Sequence, residues 1–234
     1  MPKSPKYIVI SLGGSVVSIA EGINVPYIKE FGKVIEEQVA KGNKFVIVTG
    51  GGYMNKLLVD SLRNDIESMS TLDDIGIDVT RINAKVVSAL LKSKLDVYPV
   101  VVKDLDSIKA ASRVSDVVIL GGLMPGITTD TVSVAACEAV GGKLLINVSS
   151  VAYVYDRNPS EPGAKKFTSM SYDQLIDLAG KYDQRNPRTN FVFDVIASKL
   201  ARRSKIELRF VDKSISSLKK ALNGQRHDGT IVKS

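Results

Sequence analysis

Ile8-Val9-Ile10-Ser11-Leu12-Gly13-Gly14-Ser15 is an apolar run that stops in glycine. Runs of this kind, without polar alternation, mark strands covered on both faces, as in a parallel sheet. The same pattern returns at Phe45-Val46-Ile47-Val48-Thr49 before Gly50-Gly51-Gly52 and at Val117-Val118-Ile119-Leu120 before Gly121-Gly122. Glycine at the carboxyl end of a strand lets bare backbone approach a ligand, and a following amphipathic helix offers its first N–H groups to an anion. One such loop suits a tight strand-to-helix turn equally well; three together predict a phosphate site built mostly from main chain.

Working outward, Ile28, Phe31, Ile35 and Val39 recur at helical spacing, and Gly42 ends that helix before the second strand. Strand, helix and strand in this order imply a right-handed crossover and parallel pairing. Met54, Leu57, Leu58 and Leu62 mark a second helical face, and the polar stretch Arg63 to Asp74 reads as a helical excursion or lid. A third helix through Val79, Ile82, Val86 and Leu90 leads to an expected strand at Val97-Tyr98-Pro99-Val100-Val101-Val102. Helices follow at Leu105 to Arg113 and Thr129 to Val140, the latter before a strand from Lys143 to Val148.

From Val151 to Lys166 the pattern changes. Val154-Tyr155 precedes a turn-rich stretch, Asp156 to Gly163, expected to form a functional loop with a short hairpin. Ser171 with Gln174 matches a capping box, with Leu175, Ile176 and Leu178 as the apolar side of its helix. A polar loop from Lys181 to Asn190 leads to a helix with Val192, Ile196 and Leu200 on one face. The strand Ile206 to Val211, a helix from Ser214 to Leu222 and a strand at Gly229 to Val232 complete the chain. The expectation is one α/β domain over 1–234, an open, mainly parallel sheet flanked by helices on both faces.

Composition sets the partners. Hydrophobic residues at 44% and charged residues at 24% are ordinary for a globular chain. The net charge of +7 favours anionic ligands, but the cations are scattered and no nucleic-acid module is recognisable. A nucleic-acid partner is therefore not expected, nor a membrane one, since no apolar run spans a bilayer. Cys137, the single cysteine, lies in an apolar helical stretch and reads as a buried small hydrophobe. With no signal-peptide pattern, a cytoplasmic location is expected.

The P-loop spacing is absent, and Gly13-Gly14-Ser15 lacks the third glycine of a dinucleotide fingerprint. The segment Gly121-Gly122-Leu123-Met124-Pro125-Gly126-Ile127-Thr128-Thr129-Asp130 is richer, bringing hydroxyls and a carboxylate to a helix start, where Thr129 or Asp130 can also serve as a cap. Lys199 either lays its stem over the core edge or reaches a phosphate as a point charge. Arg81 and Asn83 stand on the third helix, where solvated positions are common, and His227 in the polar turn Gly224 to Gly229 reads as a surface residue.

Taken in order, Ser11 to Val17, Val48 to Gly52, Asp78 to Ala84, the Gly121 to Asp130 segment, Val154-Tyr155 with Pro159, and Asp194 to Lys199 resemble the amino acid kinase superfamily. Gly121-Gly122, Pro125-Gly126 and Thr128-Thr129-Asp130 resemble its archaeal-type uridylate (UMP) kinases most, as do Thr80-Arg81 and Asn83-Ala84. The resemblance implies a carbamate kinase-like three-layer sandwich, with an acceptor-binding part at about 1–140 and an ATP-binding part at about 141–234. It also implies a cytoplasmic homo-oligomer, usually a hexamer, that moves the ATP γ-phosphate to UMP in pyrimidine nucleotide synthesis. Magnesium would be held mainly through nucleotide phosphates, with no metal ligand assigned to the protein.

By the same resemblance, Gly14 and Ser15 would contact ATP phosphates, Gly51 the UMP phosphate and Gly52 the transferred group. Asp73 would bind the nucleoside part of UMP, and Leu123, Met124, Pro125, Gly126, Ile127, Thr128 and Thr129 would wrap its phosphate and base. Asp130 would organise the centre, Lys199 would neutralise phosphate charge, and Ser149, Ser150, Tyr155 and Asn158 would line the base and ribose side of ATP.

Five positions depart from the group's pattern. Lys56 stands where an arginine is common and keeps ATP-side charge without the bidentate fork. Leu123 replaces a threonine, Asn158 an acidic residue, and Ala152-Tyr153 an acidic residue with glycine. These changes leave two further expectations open: a family member with a different small acceptor, or a non-catalytic nucleotide-binding regulatory or oxyanion-storage protein.

Overall fold

A computed structural model describes residues 6–182 and 193–233. The expected polar loop beyond 182 and Val192 lie outside the described residues. The chain runs through β1 (Lys6–Leu12), the one-turn helix α1 (Gly14–Val17), a hairpin of β2 (Ser18–Ile19) and β3 (Gly22–Ile23), α2 (Val25–Val39) and β4 (Asn43–Thr49). It continues through α3 (Gly52–Leu62), α4 (Met69–Leu91), α5 (Leu105–Val114), β5 (Val117–Leu120), α6 (Thr129–Ala139) and β6 (Leu144–Val148). Then follow β7 (Val154–Tyr155), β8 (Lys166–Phe167), β9 (Ser169–Met170), α7 (Tyr172–Tyr182), α8 (Val195–Ser204), β10 (Glu207–Val211), α9 (Ile215–Leu222) and β11 (Ile231–Val232).

Among the described residues, the main sheet has the order β5-β4-β1-β6-β10-β11-β9. Its first five strands are parallel, and β11 runs antiparallel to β10. Alternation across the pleat divides the apolar runs between two cores. Ile8, Ile10, Leu12, Phe45, Ile47, Val117 and Ile119 face α2, α4 and α9, whereas Val9, Val46, Val48, Val118 and Leu120 face α5, α6, α7 and α8. Cys137 is buried in the second of these layers. The structure is thus the expected three-layer α/β sandwich.

Four sequence expectations change. Of the two readings of the polar stretch from Arg63, the helical one holds from Met69 and the lid does not: Ser68 caps α4 by accepting from the Thr71 N–H, and the helix runs unbroken through Asp73 to Leu91. Val97 to Val102 makes only isolated bridges, Val97 with Val117 and Val102 with Leu120, because Pro99 interrupts the ladder. The α3 face of Leu57 and Leu58 is not covered: α3 buries no residue, and Leu57 is 58% exposed. His227 is buried rather than on the surface, its imidazole Nδ1 3.3 Å from the Gln225 carbonyl, and burial holds its pKa below the usual value.

From β1 the chain crosses to β4 on one side, and from β6 it crosses to β10 on the other. A crevice therefore opens outside the carboxyl ends of β1 and β6, where open parallel sheets bind ligands. Ile47 sits fully buried at the middle of β4, beneath the layer of α2 and α4. Ile47→Ala is expected to cost about 2–5 kcal/mol of folding stability, measured as a lower urea midpoint with an unchanged slope.

Candidate active site

The first two glycine turns close on each other. The register Leu12↔Thr49 brings the ends of β1 and β4 level, so their turns meet backbone to backbone. A Cβ added at Gly14 would lie 2.0 Å from the Gly52 nitrogen, and one at Gly52, whose φ is +65°, would lie 2.2 Å from the Gly14 carbonyl oxygen. Only glycine fits this contact. Gly13 donates to the Val148 carbonyl at 2.8 Å, which ties the same junction to β6 and brings Ser149 beside it.

Helix α4 supports the glycine loops that follow β4 and β5. Thr80 Oγ1 accepts from the Gly122 N–H at 2.6 Å, and a Cβ at Gly121 would lie 2.4 Å from that oxygen, so α4 can approach only a glycine pair. Asn83 is fully buried rather than solvated, and its Nδ2 donates to the carbonyls of Gly50 and Gly51 at 2.8 and 3.0 Å. Arg81, half-buried, donates to the Leu123 carbonyl at 3.3 Å and pairs with Asp78 at 3.2 Å. Asp73 accepts the Gly126 N–H at 2.9 Å, fastening the 123–128 loop to the start of α4. Within that loop Leu123, Pro125 and Ile127 are half-buried, while Met124 is exposed.

Thr128, and not Thr129 or Asp130, caps α6 by accepting from the N–H groups of Asp130 and Thr131. Its hydroxyl donates to the Asp194 carboxylate, which also accepts from Thr131 Oγ1 at 2.9 Å and caps α8 through the Ala197 N–H at 2.8 Å. The cap leaves the Asp130 side chain free to turn toward the strand ends. There its Oδ1 accepts from Ser11 Oγ and Asn147 Nδ2, both at 2.9 Å, joining β1, β6 and α6 at the crevice. Burial, reinforced by the neighbouring Asp194 charge, raises the Asp130 pKa from the ordinary 3.8 to about 7.

Ser11, Asn147 and Asp194 are site residues that sequence reasoning did not single out. Ser11 and Asp194 stood only as first residues of quoted motifs and Asn147 only within a strand, although polar side chains inside apolar strands signal a partner. On the opposite side, Ser149 Oγ donates to the Val151 carbonyl at 2.8 Å, and Ser150 is exposed. Tyr155 pairs with Lys166 in the β7–β8 hairpin, and Asn158 caps its own turn by accepting from the Ser160 N–H. No hydrogen bond joins either to the glycine turns among the described residues. Tyr153 donates to Asp228 at 3.2 Å and has the Lys166 ammonium 4.3 Å from its ring centre, so the altered loop is anchored to the turn before β11. Lys56, Ser15 and Lys199 are exposed, and no ion pair involves either lysine among the described residues.

No group of three or more His, Cys, Asp or Glu side chains forms a metal cluster among the described residues. The site instead offers main-chain N–H groups and the Asp130 carboxyl, a set suited to binding phosphate. The raised pKa of Asp130 also has a stability consequence. A carboxyl that binds its proton more tightly in the folded state contributes fully below about pH 3.8 and loses that contribution as pH rises through about 7. Asp130→Asn keeps Oδ1 for Ser11 and Asn147 but cannot ionise. The melting temperature of the variant relative to the parent is expected to rise from about pH 4 to about pH 8 and then level off, measured by thermal unfolding across that range.

Comparison with known proteins agrees with this fold. The Amino acid kinase family profile matches residues 6–212. The uridylate kinase of Thermoplasma acidophilum is 36% identical over 226 residues, covering 96% of each chain. The crystal structure of uridylate kinase from Archaeoglobus fulgidus is similar with a TM-score of 0.81 at 32% identity, covering 96% of this chain and 99% of that one. The UMP kinase structure from Bacillus anthracis, at 20% identity and a TM-score of 0.78, covers 98% of this chain and 96% of its own and shares the fold. Glycine turns meeting at the ends of a parallel sheet, a carboxyl held between its two central strands and a match along nearly the whole chain place this protein in the amino acid kinase family.

Proposed function

We propose that this chain is a uridylate kinase that transfers the γ-phosphate of ATP to UMP, giving UDP for pyrimidine nucleotide synthesis. The observation that carries the reading is the 123–128 loop, fastened by Gly126 to Asp73 on α4, the same helix whose Asn83 holds the Gly50 and Gly51 carbonyls. That arrangement suits a small phosphorylated acceptor held at both its nucleoside and phosphate ends. Relatives bearing the name uridylate kinase, similar over almost the full chain, support the same acceptor.

Phosphoryl transfer needs in-line positioning and neutralised charge more than covalent help from the protein. In this reading the 1–140 part binds UMP, through Gly51, Asp73 and residues 123–129. The 141–234 part binds the nucleoside end of ATP through Ser149, Ser150, Tyr155 and Asn158, while Gly14, Ser15, Gly52 and Lys56 hold its phosphates. The N–H groups of the glycine turns stabilise charge on the moving group, and Lys199 adds a mobile cation. Asp130 holds the ends of β1 and β6 in register with α6. Magnesium would arrive on the ATP phosphates, where it would supply charge neutralisation; the Asp130 carboxyl, held by Ser11 and Asn147, suits a supporting role rather than that of a ligand.

The reading extends to a cytoplasmic homo-oligomer, a hexamer by resemblance to the group. The buried, unpaired Cys137 is in keeping with a reducing compartment. Tyr53, Leu57 and Leu58 expose apolar surface on α3, which supports association between copies.

A steady-state assay with ATP, magnesium and a panel of UMP, CMP and other small acceptors tests the reading, with UMP expected to give the highest kcat/KM. Absence of UMP turnover, or clear preference for another acceptor, would overturn it. Lys199→Ala is expected to lower kcat roughly a hundredfold, the order found when one charge-stabilising group is removed. Because that side chain is exposed and has no ion pair among the described residues, the melting temperature should stay unchanged.

A further inference from the structure

The turn that opens α3 has both of its carbonyls held by one side chain, and the Gly51 carbonyl also accepts from the Asn55 N–H at a longer 3.5 Å. Asn83 Nδ2 donates to Gly50 O at 2.8 Å and to Gly51 O at 3.0 Å. Both peptides are trans, so each N–H points opposite to the carbonyl of its own plane. The N–H groups in those two planes belong to Gly51 and Gly52. Drawing the carbonyls toward α4 therefore turns the Gly51 and Gly52 N–H groups away from it, and neither makes a hydrogen bond among the described residues.

The backbone conformation agrees. Gly51 is right-handed at φ −80° and ψ −34°, and Gly52 follows at φ +65°. Successive right- and left-handed residues form a nest, in which consecutive N–H groups make an anion-binding concavity. We infer that Asn83 is a positioning residue for phosphoryl transfer, clamping the Gly50 and Gly51 carbonyls so that the Gly51 and Gly52 N–H groups face the acceptor phosphate and the group in transit. This inference rests on the uridylate kinase reading.

The amide serves this role at a cost to itself. Its Oδ1 is buried without a hydrogen-bond partner. Rotating the amide would set that oxygen against two carbonyl oxygens, so the partners fix the donor orientation. Thr80, one turn earlier on α4, performs the matching task for the other loop by accepting from the Gly122 N–H. One helix face thus sets the backbone direction of two glycine turns.

The test uses Asn83→Leu, similar in size but without donors, and Asn83→Asp, which keeps the shape but offers the carbonyls only acceptors when ionised. The measurements are kcat and KM for UMP, the affinities for UMP and uridine by calorimetry, and the melting temperature. Both variants are expected to lose roughly a hundredfold in kcat and about tenfold in the preference for UMP over uridine, with uridine affinity within about twofold of the parent. A folded variant with parental kcat and parental UMP preference would overturn the inference. So would equal losses for UMP and uridine, because a merely structural role damages both. If the leucine variant does not fold, the aspartate variant decides. Failure of the parent protein to phosphorylate UMP would instead strike the uridylate kinase reading, and the binding ratio would still decide the place of Asn83.

Discussion

The contact between the Gly14 and Gly52 backbones is the constraint from which the site follows. Neither position has room for a Cβ, since the nearest opposing main-chain atoms would lie at 2.0 and 2.2 Å. With side chains excluded, the surface left at this junction is peptide N–H and C=O. Parallel pairing of β1 with β4 delivers the two turns to the same height, and the connections leaving β1 and β6 in opposite directions keep the space above them open.

Side chains act on this centre from neighbouring elements. Asp73, Thr80 and Asn83 come from α4 and orient loops rather than presenting a chemical group themselves. Asp130 comes from α6 and is gripped by Ser11 and Asn147, while Asp194 ties α6 to α8 through Thr128 and Thr131. A carboxyl so placed is held near neutrality by burial and by a like charge. Such an arrangement fits a reaction governed by electrostatic preorganisation, in which the scaffold must already be aligned when charge moves.

Much of the fold was legible because buried parallel strands leave a clear record: β1, β4 and β5 are apolar runs, rich in β-branched residues, that end in glycine. The capping box at Ser171 and Gln174 was equally local and is present, with bonds of 2.9 and 3.2 Å in the two directions. The misreadings arose where local pattern and tertiary demand part. Val97 to Val102 has strand composition, but Pro99 limits it to isolated bridges. The polar residues before Val79 left a helical excursion and a lid open, because periodicity does not report a cap such as Ser68 that starts the helix earlier. His227 looked exposed because a polar turn gives no sign that the chain folds over it.

The residue pattern alone determined the strands, the glycine turns and the kind of ligand they suit, since these depend on composition and spacing within a few neighbouring residues. It also carried the family resemblance, because the motifs lie in a fixed order. Only the tertiary structure decided which groups share the centre. Ser11 stands 119 positions from Asp130 and Asn147 stands 17 from it, and the three meet through the order of the strands. Likewise Asn83 became a clamp on Gly50 and Gly51 only when α4 crossed the end of β4. Hydrogen bonds over such separations are set by topology, and no local pattern in the chain records them.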